Sequence, residues 1–165
     1  MIRVLLLLSL SALIIGCSSK PLPSQLPFSV TTHLNIGAQV NPFNHTASHP
    51  IVLRIYQLRE SGAFNNAGFI DLYLNDRDVL GASLIDAQYL KPVSPGQKIL
   101  TLDIQRDTLY IAVLAEFSDY SNAVGKSILR LDRHPDQKIM VVHVNGLVVD
   151  ITMQAKPKKA WWQKE

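Results

Sequence analysis

A mainly β fold, a two-sheet sandwich with a short helical insert, is predicted by three observations on this chain. From Ser29 onwards the dominant hydrophobic period is two, the mark of strands with one face on a core. Short apolar segments are separated by turn formers such as Ser94-Pro95-Gly96 and Asn145-Gly146, the spacing expected of a sandwich. Only residues 61–90 leave that period, with apolar side chains three to five apart. At 165 residues, 47% hydrophobic and 18% charged, the chain has the mass and composition for one globular core.

Before the strands comes a different kind of sequence. Arg3 precedes an apolar run over residues 4–15, broken only by Ser9 and Ser11. That is short of the ~20 residues of a membrane span and fits the apolar core of a secretory signal peptide, assigned to residues 1–16. The only cysteine, Cys17, stands where the run ends. It could be a buried small side chain, a redox group or a point of covalent attachment; an intrachain disulfide is excluded for want of a second thiol. Ile14-Ile15-Gly16-Cys17 resembles the bacterial lipobox, in which a thiol accepts a diacylglyceryl group and a small preceding residue admits the peptidase. Cys17 is therefore the expected lipidation site. Pro21, Pro23 and Pro27 favour extended backbone in the tether that follows, residues 17–28. The eleven residues from Ser18 to Phe28 span roughly 30 Å at ~3.1 Å each. By resemblance to other lipoproteins, Ser18 after the cysteine implies sorting to the periplasmic face of the outer membrane.

The domain itself is assigned to residues 29–155. Val30 to Val40 alternates as a half-buried strand, and Ile51 to Leu58 (IVLRIYQL) is apolar on both faces. Ile99 to Ile104 and Leu109 to Phe117 are two further strands, and Ser127 to Leu131 is a short candidate. Lys138 to Val144 and Leu147 to Met153 flank Asn145-Gly146, a strong hairpin signal because both residues tolerate positive φ. Within 61–90, Phe64, Phe69, Leu72, Tyr73, Val79, Leu80, Ser83 and Leu84 fit two short helices packing a stripe on one end of the sandwich. Asp76 and Asp78 are candidate N-caps. Residues 156–165, KPKKAWWQKE, form a basic tail carrying Trp161 and Trp162, which could touch a membrane interface or simply be solvated.

Charge excludes one class of function. The tail carries four lysines against Glu165, a net of +3, and Arg3 and Lys20 add two positive charges near the start. The formal +3 of the whole chain thus leaves its body slightly negative. A nucleic-acid binder would carry its basic patch on the folded body. Catalytic motifs are also missing: the sequence has no Gly-rich phosphate loop after a strand, no G-x-S-x-G and no H-E-x-x-H. His45 and His49 are four apart, but Pro50 and the neighbouring turn formers favour a loop of solvated histidines over a metal pair. His143 and His134-Pro135-Asp136 read as hairpin and turn residues. Asp71, Asp76 and Asp78 read as a solvated face or helix caps, not as acid–base groups.

A lipobox, a strand running into Asn41-Pro42, and IVLRIYQLRESGAF together resemble the TssJ lipoprotein family of type VI secretion systems, also called VasD or Lip. The resemblance continues through Gly68 to Tyr73, Val79-Leu80, Pro95-Gly96 and Val113 to Phe117, and covers residues 30–153. Where members often carry a tryptophan after the Ala-x-Phe strand, this chain reads Asn122 to Lys126. The resemblance implies a transthyretin-like sandwich, no catalysis, no cofactor and no metal. It implies a tether that holds the periplasmic C-terminal domain of TssM to the outer membrane, with TssL an indirect partner in the same complex. Loops between sandwich strands usually take about two to five residues, whereas NPFNHTASHP takes ten. Two prolines stiffen it and Phe43 has no strand face to join. It is either a passive bridge between sheets or a protein-binding tip, and the family favours the tip. Asn41, Pro42, Phe43, Asn44 and His45 are the expected contact residues, with Phe43 as apolar anchor. A small-ligand carrier or, with less support, a periplasmic hydrolase are the alternatives.

Overall fold

A computed structural model of the chain describes residues 27–42, 47–132 and 135–156. Cys17, the rest of the tether up to residue 26, residues 43–46 and the tail beyond Lys156 lie outside the described residues. Among the described residues, eight strands form two four-stranded sheets. One has the order β4-β1-β7-β8, from β1 (Phe28–Ile36), β4 (Gly96–Ile104), β7 (Lys138–Asn145) and β8 (Val148–Ala155). The other has the order β3-β2-β5-β6, from β2 (Leu53–Leu58), β3 (Leu84–Tyr89), β5 (Tyr110–Ala115) and β6 (Lys126–Arg130). β1 and β7 run parallel, and every other neighbouring pair is antiparallel.

The period-two reading explains the core. Along β1, Val30, Thr32, Leu34 and Ile36 are buried while the residues between them are not. Val30, Leu34 and Ile36 meet Leu53 and Ile55 of β2, Ile111 and Val113 of β5, and Met140, Val142 and Val144 of β7 in one cluster between the sheets. β2 and β5 are buried on their other face as well. Tyr56, Leu58, Ala112 and Leu114 pack there against Phe64, Leu72 and Leu80 in a second cluster. These three come from α1 (Gly62–Asn66) and α2 (Phe69–Leu80), which lie on the outer face of the second sheet. The architecture is therefore three layers, sheet on sheet with helices on one outer face, and the two-faced hydrophobicity of IVLRIYQL follows from it.

Several expectations change. The insert covers a sheet face, not an end. Its helices stop at Leu80, a 3₁₀ turn spans Gly81–Ser83, and residues 84–89 form the edge strand β3 paired to β2. β1 ends at Ile36, and residues 37–40 turn back with the Val40 N–H on the Gly37 carbonyl at 3.2 Å. The β7–β8 hairpin shifts by one residue: Asn145 pairs with Val148, so Gly146 and Leu147 are the loop. Gly146 alone takes positive φ, +56°, at the first loop position.

Strand directions give the molecule two distinct ends. In the parallel pair, Thr32 aligns with Met140 and Ile36 with Val144, while Lys138 pairs with Ala155. Phe28, where the tether enters, and Ala155, where the tail leaves, therefore share one end. The β1–β2 loop, Gly96, the turn after β5 and Gly146 gather at the other, roughly 30 Å away along β1 at ~3.4 Å per residue.

Candidate partner-binding end

The β1–β2 loop crosses between the two sheets, and its neck is closed. The His49 N–H donates to the Val40 carbonyl at 3.2 Å, and Asn41 Nδ2 donates to the Pro50 carbonyl at 3.3 Å. Asn41 N–H donates to the Gly146 carbonyl at 2.9 Å, and the Ser118 N–H donates to Asn41 Oδ1 at 2.8 Å. Asn41 takes positive φ, 48°, a conformation asparagine tolerates better than most residues. Two of these hydrogen bonds close the foot of the loop on itself, and two fasten it to the β7–β8 turn and the turn after β5. Asn41 is 4% exposed and its side chain is engaged within the chain. It holds the loop; Pro42 beside it is half-buried, and His49 is exposed. Phe43, Asn44 and His45 lie outside the described residues.

Beside that neck, Ser118 is part of a hollow of about 300 Å³ lined also by Phe69, Ile70, Tyr73, Glu116 and Tyr120. Its aromatic wall is a ladder. Tyr120 stacks on Phe69 with centroids 5.0 Å apart, and Phe69 on Tyr73 at 5.9 Å. The Arg54 guanidinium lies over Tyr73 at 5.1 Å and over Tyr89 at 5.4 Å. Much apolar surface is left in water here, with Ile70 41%, Tyr73 43% and Tyr120 45% exposed. A second open hollow at the same end, between Asn35, Gly96 and His143, measures about 290 Å³. The first hollow is lined by the carboxylate of Glu116 with Tyr73 and Tyr120, and the second by the imidazole of His143.

Arg54 is what sets α2 in place. Its Nε donates to Glu116 Oε1 at 2.5 Å and its Nη1 to Asp76 Oδ2 at 3.1 Å. Nη1 also reaches the carbonyls of Leu72 at 3.3 Å and Tyr73 at 3.0 Å. Those carbonyls sit one turn before Asn75, whose φ of −141° breaks the helix, so the kink coincides with a side chain entering the backbone ladder. Asp76 Oδ2 accepts two further bonds, from Tyr56 OH at 2.9 Å and Tyr89 OH at 3.0 Å. Burial alone would raise the Asp76 carboxyl, but the bonds from Tyr56, Tyr89 and Arg54 outweigh it and hold it below its usual range. Burial, then Asp76, push both phenols up, and Glu116 raises Arg54 against the opposing effect of its own burial. Lys126 closes α1 from the other side, donating to the carbonyls of Phe64, Asn65 and Ala67; burial lowers its pKa.

This cluster corrects the reading of Asp76 as an N-cap: it is 7% exposed in the helix body and serves as a buried acceptor. Asp71 does cap, taking the Gly68 N–H at 3.1 Å. Sequence reasoning missed Arg54, although the signal was present. A charge in the middle of a strand buried on both faces must find partners.

Fold and site together define a β-sandwich protein built to present a fastened loop and an aromatic surface at one end. The chain belongs to the family described as "Type VI secretion lipoprotein, VasD, EvfM, TssJ, VC_A0113", whose model matches residues 29–146. That family is a structural component of the secretion apparatus and not a known enzyme family. The fold is that of the type VI lipoprotein TssJ1 from Pseudomonas aeruginosa, at a TM-score of 0.72 and 19% identity, covering 79% of this chain and 99% of that one. Serratia marcescens Lip, a membrane-bound component of the type VI secretion system, matches at 0.62 and 23% identity over 75% and 96%. A chain in the structure of the TssM C-terminal domain from EAEC matches at 0.60 and 18% over 76% and 99%. No curated protein matches the chain.

Proposed function

We propose that this protein is anchored by a lipid on Cys17 to the periplasmic face of the outer membrane. There it tethers the periplasmic C-terminal domain of TssM, with TssL joined indirectly through that complex. The observation that carries the reading is the placement of the two ends. The tether enters at Phe28 and the β1–β2 loop stands at the opposite end of the sandwich. A domain held at one end by lipid thereby offers the loop, Pro42, Phe43, Asn44 and His45 in particular, to a partner in the periplasm. Asn41 contributes by fixing the foot of that loop. The aromatic hollow beside it, with Tyr73 and Tyr120 exposed, extends the same surface, and aromatic anchors are what protein interfaces favour. More than one acyl chain holds a protein firmly, where a single chain holds it marginally.

Fractionation tests the anchor. Cys17→Ala is expected to abolish incorporation of labelled palmitate and leave an uncleaved precursor in the inner membrane, with TssM no longer cofractionating with outer membrane. Outer-membrane localisation that persists without label contradicts the proposal.

A further inference from the structure

We infer that the aromatic hollow beside the loop neck seats a basic side chain, an arginine, of the protein that binds this end of the sandwich. This rests on the partner-binding reading of that end and names the chemistry of one of its contacts. Charge at the hollow is unbalanced. Two carboxylates, Asp76 and Glu116, share the single guanidinium of Arg54. Asp76 is buried and spends one oxygen on Arg54, Tyr56 and Tyr89 together. Glu116 is half-buried, gives Oε1 to Arg54 and also lines the hollow. The surplus negative charge therefore surfaces in the hollow, where the other lining side chains are apolar, aromatic or hydroxyl-bearing. Lys126, the next cation along the chain, donates to the carbonyls of Phe64, Asn65 and Ala67 instead. α2 and the turn after β5 also carry Asp71, Asp78 and Asp119 against Arg77. The surface thus favours a cationic visitor.

The chain makes such a contact once already. The Arg54 guanidinium lies 5.1 Å from the Tyr73 ring centroid, and the rings of Phe69 and Tyr120 continue the stack, with 11° and then 7° between planes. Tyr120 ends that stack and is exposed, with Phe69 as its ring partner among the described residues. A second guanidinium over Tyr120 repeats at the open end what Arg54 does over Tyr73, and the Glu116 carboxylate in the same hollow can accept its N–H groups. Arginine suits this better than lysine, because its planar fork both stacks on aromatic rings and donates to a carboxylate. The hollow's volume of about 300 Å³ stands at the bottom of the ~300–1,000 Å³ range of small-molecule pockets, so it suits one side chain better than a metabolite. Ser118 lines the hollow and also bonds Asn41 at the loop neck, so one protein surface can reach both. Tyrosine and arginine are also the residues that most often carry binding energy at protein interfaces.

Both hydrophobic clusters lie within residues 28–153, so residues 17–165 made without acylation keep the core. In this protein, isotope-labelled for NMR, millimolar N-acetylarginine amide is expected to shift the amide signals of residues 116–120. N-acetylcitrulline amide, an uncharged analogue of the same shape, is expected to leave them in place. In calorimetry with the TssM periplasmic domain, Glu116→Gln and Tyr120→Leu are each expected to bind at least tenfold more weakly, and Tyr120→Phe to bind like wild type. Glu116→Gln keeps an oxygen for Arg54 and Tyr120 is exposed, so melting temperatures are expected to stay near that of wild type. If Glu116→Gln does not fold, the Tyr120 variants and the two amides decide. Equal shifts with both amides, or full affinity in Tyr120→Leu, overturn the inference. So does a dimer of this chain that Tyr120→Leu dissolves, which assigns the hollow to a second copy. Wild type that fails to bind the TssM domain overturns the partner reading and this inference together, whereas variants that bind like wild type overturn this inference alone.

Discussion

Asp76 shows how one side chain can join elements that the sequence leaves apart. It draws Arg54 and Tyr56 of β2 and Tyr89 of β3 onto α2 through a single oxygen. Removing its charge takes one of two carboxylates from a largely buried guanidinium and weakens the acceptor for two phenols, so Asp76→Asn should cost about 1–3 kcal/mol in urea denaturation. The sign with pH follows from the depressed carboxyl. The folded state holds its proton less well than the unfolded chain, so this stability is present above the ordinary carboxylate range near ~3.9 and is lost as pH falls through the lower folded value. Asp76→Asn should flatten that acid limb. Tyr56 and Tyr89 act in the opposite sense, their contribution being present below a phenol's usual ~10 and lost as pH rises through the raised folded values. At Gly146 an added Cβ meets nothing within 4 Å, so Gly146→Val should cost about 1–2 kcal/mol through its φ of +56° alone. Of the three aspartates in α2, Asp71 caps and Asp78 is exposed, as helix caps or a solvated face would be, whereas the role of Asp76 depends on two tyrosines that are 20 and 13 residues away.

At the scale of elements, seven strands were legible and the edge strand β3 was not. β1 announces itself by alternation, and β7 and β8 by the Asn145-Gly146 signal between them. β3 does not, because an edge strand buries little: none of its residues is fully buried, and Asp86, Gln88 and Tyr89 are exposed. Its apolar residues continued the helical spacing of α2 closely enough to be absorbed into the insert. The hairpin was placed correctly but off by one residue, since Gly146 needs positive φ and Asn145 does not. The buried face of α2 can be tested against its exposed one. Leu72 is fully buried, and Leu72→Ala should cost ~2–5 kcal/mol. Phe69 is half-buried and held mainly by stacking on Tyr73 and Tyr120, so Phe69→Ala should cost less, about 1–2 kcal/mol. Equal denaturation midpoints for the two variants would show that α2 presents a different face to β2 and β5.

The sandwich has two ends, with the tether entering at one and the fastened loop standing at the other. Neither end is visible in a list of motifs. The lipobox and the long loop can each be read from residues, but their separation depends on the parallel pairing of β1 with β7, a contact about 108 residues apart that no local pattern encodes. The same pairing puts Phe28 beside Ala155 and sends the β1–β2 loop away from both. If that division of labour is right, a change at the loop tip should alter binding without touching the fold. The most direct measurement is calorimetric titration of the TssM periplasmic domain with wild type and with Phe43→Ala/Asn44→Ala. The account predicts a nearly unchanged melting temperature and an affinity at least tenfold weaker, or ~1.4 kcal/mol. Undiminished affinity in the double variant contradicts it.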